Sequence, residues 1–230
     1  MTPHPAYYPA PRRKQRTGLV ITLVLAGVLL LICCVPTGFL GIRYARMETG
    51  PHHSLPNVCT ALNGDTIEAL VGERDFQREV ATAEDAGFPV EGCLWPKEDD
   101  LDTQVGVRSV MYTRSFWGSS TDKARERMAG NRAASQGQVE RYEAEGGSPY
   151  AAVAALRGAG HDGFCYGMSG GELIYRYDCH VRDGNVIISI AVHPPWTGEE
   201  REVTQAEVHQ AVMEFTEVAR DIANDLIEDL

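Results

Sequence analysis

The chain has 230 residues, 43% of them hydrophobic and 23% charged, a balance close to that of globular proteins that excludes wholesale disorder. Every Asp and Glu lies from Glu48 onward, and the part after residue 47 carries 32 acids against 15 bases, a formal charge of −17. A surface so acidic repels nucleic acid and anionic lipid, so no nucleic-acid partner is expected, and the acidity otherwise serves solubility.

Residues 1–17 (MTPHPAYYPAPRRKQRT) are Pro-rich and basic and cannot bury a core, so they read as a disordered cytoplasmic tail. Residues 18–40, GLVITLVLAGVLLLICCVPTGFL, hold no charged side chain. As a helix of about 34 Å they would cross a hydrocarbon core of about 30 Å. The four basic residues of RRKQR precede the span, and the positive-inside bias keeps them in the cytoplasm. Arg43 and Arg46 weaken that bias without reversing it. A cleaved signal peptide would need a small-residue cleavage pattern that is missing here, and a lipoprotein signal would need a small residue before its cysteine. The expectation is a single-pass plasma-membrane protein, anchored by one transmembrane helix, with its C-terminal part extracellular. Cys33 and Cys34 fall inside the apolar run, where cysteine is usually a packing residue.

Residues 41–54 read as a linker, in which His52-His53 is taken as a solvated pair, and residues 55–230 as one extracytoplasmic domain. Asn57 is a candidate cap for a short helix through Val58, Cys59 and Leu62. A second short helix is expected from Asp65 or Thr66 to Val71. Residues 73–90 are charged with a weak period and read as a loop or ragged helix. Val90 to Trp95 alternates as a strand, closed by Pro96 and the acidic run Glu98-Asp99-Asp100. Asp99, Asp100 and Asp102 lack the spacing of a calcium loop and read as a solvated hairpin tip. Gln104 to Ser115 is β-rich, and residues 120–145 are helix-forming and mostly polar, with Ala124, Met128, Ala129 and Ala133 as a thin apolar stripe.

The last third has the clearest pattern. Arg157-Gly158-Ala159-Gly160-His161-Asp162-Gly163 is a glycine-rich turn, and a strand, not the helix of a phosphate-binding loop, follows it from Phe164 to Met168. Leu173–Val181 and Val186–Val192 flank Arg182-Asp183-Gly184-Asn185, a hairpin signal. Thr204 with Glu207 forms a capping box that opens an amphipathic helix to Leu230, with Val208, Val212, Phe215, Ala219, Ile222 and Leu226 on one face. Together these predict an α+β domain with a largely antiparallel sheet packed by the long C-terminal helix.

Beyond the anchor lie four cysteines, Cys59, Cys93, Cys165 and Cys179. An even number outside the cytoplasm reads as two disulfides. Four cysteines allow three pairings that sequence cannot choose among; proximity favours Cys59–Cys93 and Cys165–Cys179. The spacing does not fit a metal site, and neither a metal nor a cofactor is expected.

Pro56-Asn57-Val58-Cys59-Thr60-Ala61-Leu62, the Gly92-Cys93-Leu94-Trp95 run, the glycine-rich turn and the strand ending Asn185-Val186-Ile187-Ile188-Ser189-Ile190 together resemble a family of small actinobacterial cell-envelope proteins of unknown function, many of them lipoproteins. The resemblance covers residues 55–230. It implies a compact α+β domain in which Cys59 pairs with Cys93, and it implies no chemistry. The lipid-modified cysteine of many members is missing, and Cys165 with Cys179 is an addition.

No catalytic residue stands out. His161-Asp162, His180, His193 and His209 are the polar candidates, there is no G-x-S-x-G motif, and oxidised cysteines are not nucleophiles. The reading that follows is a non-enzymatic envelope module binding a partner protein, wall component or small ligand through aromatics such as Trp117 and Trp196. The alternative is a cell-envelope hydrolase with His161 or His193 beside a carboxylate and a nucleophile in a cleft.

Overall fold

A run such as Val186–His193, apolar at nearly every position, can be stable only where both faces are covered, and that requirement organises the molecule. The computed structural model describes residues 25, 28, 41–42, 44–45, 49–62, 79–85, 88–97, 100–115, 118–146, 150–170, 174–193 and 203–230. The chain divides into two units, Met1–Arg46 and Met47–Leu230. In the first, Leu25, Val28, Gly41, Ile42, Tyr44 and Ala45 are helical. The rest of the Gly18–Leu40 span lies outside the described residues, and among those described no helix is long and apolar enough to cross a membrane.

The second unit is α+β. Its elements are α1 (Val58–Ala61), β1 (Glu79–Asp85), β2 (Phe88–Lys97), β3 (Asp100–Met111), α2 (Ser120–Glu145), β4 (Ala151–Ala155), β5 (Asp162–Ser169), β6 (Ile174–Asp183), β7 (Val186–His193) and α3 (Gln205–Glu228). The strands form one seven-stranded sheet in the order β1-β2-β3-β7-β6-β5-β4, and every pairing is antiparallel. The sheet is two meanders joined by β3 against β7, with α2 as the connection between them.

Side chains of directly paired residues project to the same face, so the register sorts the core. One row, Cys93, Val107, Ile190, Cys179, Cys165 and Ala154, crosses six strands and belongs to the main apolar cluster. Both disulfides lie on it. Cys59–Cys93 fastens α1 to β2, and Cys165–Cys179 joins directly opposed residues of β5 and β6 with Cα atoms 4.0 Å apart. The proximity pairing is thus the one formed.

α3 covers this face. Its capping box is complete: Thr204 Oγ1 accepts from the Glu207 N–H, and the Glu207 carboxylate accepts from the Thr204 N–H. All six residues of the expected stripe are buried, joined by Thr216 and Ala223. The helix comes close to the sheet at Gly167, where a Cβ would stand 2.3 Å from Val212 Cγ2 and 3.2 Å from Tyr177 Cδ1. Against the opposite face α2 buries Ala124 and Met128, in a smaller cluster with Val90, Val110, Phe164 and Ile187. Ala129 and Ala133, expected on the same stripe, are exposed. Beyond Met128 the helix keeps no fully buried side chain.

Two expectations are corrected. Residues 79–85, read as part of a loop or ragged helix, form β1, paired with β2 from Glu79↔Leu94 to Asp85↔Phe88. Charged residues obscured the period because an edge strand tolerates charge on its open side. His52, read as one of a solvated pair, is docked: its side chain is only 13% exposed and its Nε2 lies 2.8 Å from Asp183 Oδ2, while His53 is exposed. Asn57 sits at the N-cap of α1, but its side chain makes no capping bond. The helix expected at residues 65–71, the Phe116-Trp117 pair and Trp196 lie outside the described residues.

Candidate functional site

The face of the sheet turned toward α2 is only partly covered by it, and the uncovered part is shaped by two rows of paired residues. Gly92, Arg108, Ser189 and His180 stand side by side across β2, β3, β7 and β6. Leu94, Gly106, Ala191 and Asp178 form the adjacent row. Gly92, Gly106, Ser189 and Ala191 keep much of this floor low, and the longer side chains of Leu94, Arg108, Asp178 and His180 stand around them. α2 supplies a wall through Arg127, Asn131, Ala134 and Ser135, spaced by three or four residues along one side of the helix. The resulting cleft has a volume of about 780 Å³, within the range of small-molecule sites.

Its electrostatics run against the rest of the domain. Among the described residues, Arg108, Arg127 and Arg176 line it, with Asp178 as the one carboxylate. Asp178 is committed: Arg176 Nε and Nη2 donate to its two oxygens at 2.5 and 3.2 Å. His180 Nδ1 lies 2.9 Å from Ser189 Oγ across the β6–β7 pair, and its ring is 5.1 Å from that of Phe164. Arg132 stacks in turn over Phe164 at 5.3 Å. Burial pushes the His180 pKa below its ordinary value; Asp178 opposes this, while Arg176, Arg127 and Arg108 add to it. His180 is therefore a neutral imidazole near pH 7.

A second polar cluster lies at the hairpin between β6 and β7. Gly184 turns the chain with φ +52°. Asn185 donates from Nδ2 to the backbone oxygens of His52 and Tyr112 and accepts from the His52 N–H. Asp183 takes His52 on one oxygen and His161 Nδ1 on the other, at 2.8 and 2.6 Å. The arrangement straps residues 50–52 onto the hairpin.

The sequence candidates are thus separated. His161 meets Asp183 and not its neighbour Asp162, which receives Arg132 Nη2 at 2.6 Å. His193 ends β7 opposite Gln104, and His209 is exposed on α3. The glycine-rich turn joins β4 to β5, so it has no helix N-terminus to offer a phosphate. Among the described residues, no three His, Cys, Asp or Glu side chains form a group able to hold a metal ion.

No known protein family, curated protein or solved structure matches this chain. The reading of the cleft therefore rests on its own geometry. The arginines, Asp178 and Ser189 were not singled out from the sequence. One signal for them was available: a two-residue turn at Gly184-Asn185 places His180 opposite Ser189 by counting outward from the hairpin.

Proposed function

We propose that this chain is a membrane-anchored extracytoplasmic module of the cell envelope that binds a small ligand in the cleft between α2 and the sheet. The cleft carries the reading: a floor of small residues ringed by polar and cationic groups, at a volume suited to a small molecule. Support for the anchor is the 23-residue uncharged span. Support for the compartment is the pair of disulfides, which persist in oxidising surroundings. The resemblance to actinobacterial envelope proteins is part of the same proposal.

The second reading, an envelope hydrolase, rests on the Ser189–His180 contact. Two features weigh against it. Ser189 lies mid-strand in β7 between β3 and β6, so the backbone donors around it serve the sheet ladders and leave no oxyanion hole there. Asp178, the nearest carboxylate along β6, is held by Arg176 rather than orienting His180.

The test is amide NMR of the isotope-labelled full chain in detergent, titrated with wall sugars and short wall peptides. Binding in the cleft moves the signals of Gly92, Gly106, Ser189 and Ala191, and Ala191→Leu, which fills the floor, removes the response. Absence of any shift at these four residues across the set would refute the reading.

A further inference from the structure

The segment strapped onto the β6–β7 hairpin reaches the cleft through one side chain. We propose that residues 50–52 are a releasable strap whose docking is linked, through the carboxamide of Asn185, to the Tyr112 end of the cleft. This rests on reading the cleft as the ligand site, and adds a means by which that site is regulated.

The strap fits closely but is held at few points. Gly50 has φ +82°, and a Cβ there would stand 2.3 Å from Asn185 Cγ; a Cβ on Gly184, φ +52°, would stand 2.3 Å from Pro51 Cγ. A glycine on each side thus lets the two stretches of chain approach. Among the described residues, every hydrogen bond of residues 50–52 goes to Asp183 or Asn185. A surface segment with so few ties opens more readily than the sheet beneath it.

The link lies in how Asn185 is used. The residue is buried, at 1% exposure, and its carboxamide is fully engaged. Oδ1 accepts from the His52 N–H, while Nδ2 donates one hydrogen to the His52 carbonyl and the other to the Tyr112 carbonyl, each at 3.1 Å. The amide is planar, so the two strap bonds that fix its plane also aim the remaining N–H at Tyr112. The Tyr112 N–H donates to the Asn185 backbone carbonyl at 2.8 Å. The end of β3 therefore stays attached to the hairpin when the strap leaves, but its carbonyl is no longer held by an oriented donor. Tyr112 lines the cleft with Val110 and Ile187, and its ring centroid lies 4.8 Å from that of Phe88.

Release has a second consequence along the chain. Leu55 packs against the main apolar cluster and Pro56 is buried, so opening stops there. The docked strap leaves residues 47–49 outside it, a reach of about 10 Å, and release extends the free stretch to residues 47–54, about 27 Å. If residues 18–40 are the anchor proposed above, strap and cleft together set the slack of the membrane tether. Linkage makes the effect mutual: a ligand that moves Tyr112 changes strap docking by the same factor as docking changes its affinity.

The experiment is NMR of the labelled full chain in detergent, with no ligand. Gly50→Val drives a side chain into Asn185 from the strap side and leaves the hairpin and β3 unaltered in sequence. Amide exchange at His52 should quicken by about tenfold or more. The Thr113 amide, whose peptide group carries the Tyr112 carbonyl, and the Val110 and Ile187 methyls should shift. His52→Ala, which removes the imidazole contact with Asp183, should produce the same pattern more weakly, read at the amide of residue 52. The Ile222 and Leu226 methyls, buried on α3, should stay in place and report an intact fold; if Gly50→Val moves them, His52→Ala decides by the same signals. Faster exchange at residue 52 with Thr113, Val110 and Ile187 unchanged shows a strap that opens alone, and overturns the link. Unaltered exchange in both variants shows that the strap is not releasable, and overturns the proposal as well. The cleft reading is decided separately by the wall-fragment titration above.

Discussion

Removing the Cys165–Cys179 bridge gives a direct measure of how far the domain depends on its covalent cross-links. The two cysteines are 14 residues apart in sequence, directly opposed on β5 and β6, and fully buried. Closing a loop of this length in the unfolded chain corresponds to about 3 kcal/mol. In the folded state the strands are already held by their ladder, so Cys165→Ala with Cys179→Ala leaves the register in place and acts mainly through the unfolded ensemble. Loss of two buried sulfur atoms beneath α3 adds a small packing cost, bringing the expected destabilisation to about 3–4 kcal/mol. With a urea dependence of about 2 kcal/mol per molar, the midpoint should fall by about 1.5–2 M. The assay is urea unfolding followed by tryptophan fluorescence, for the wild-type chain oxidised and reduced and for the double variant. A loss under about 1 kcal/mol in the double variant, or identical midpoints for oxidised and reduced wild type, would refute the loop-closure reasoning.

The remaining expectations test other joints of the structure. Gly167→Ala inserts a Cβ 2.3 Å from Val212 Cγ2 beneath α3 and should destabilise by about 1–3 kcal/mol in the same urea assay. Asn185→Ala removes three hydrogen bonds that tie residue 52 and Tyr112 to the hairpin. It should cost about 2–3 kcal/mol and speed hydrogen exchange at the His52 amide. His180 is held neutral by burial, so its folded-state pKa lies below the unfolded value. The unfolded chain takes up the proton first, and stability should decline as pH falls through the unfolded pKa of about 6.5 and level off below the folded one; His180→Gln should flatten that slope, and an unchanged slope would count against it. Tyr177 has its pKa raised to about 12 by burial and then by Glu214, so stability should also drop as pH rises through about 10 toward that value. If the anchor is as proposed, protease added to intact cells should digest residues 55–230 and spare the N-terminal tail; protection of the domain would overturn the topology.

Much of the fold could be read before any coordinates. The α3 stripe and its capping box are local patterns of period and side-chain chemistry, and each expected residue is buried. The β6–β7 hairpin is equally local, set by Gly184-Asn185 between two apolar runs. β1 escaped notice because a charged edge strand lacks the alternation that marks a half-buried one. His52 looked solvated because nothing in the sequence near it hints at Asp183, 131 residues away.

The site divides along the same line. Sequence alone determined the acidity of the domain, the uncharged span, the number of cysteines and the amphipathic helix that closes one face, because each depends on neighbours along the chain. Only the tertiary structure decided that β3 lies against β7. That single pairing brings Arg108 beside Ser189 and Gly106 beside Ala191, and the middle of α2 stands over them as a wall. The cleft is made by contacts between strands some 80 residues apart, and no local pattern records which distant strand will complete a sheet.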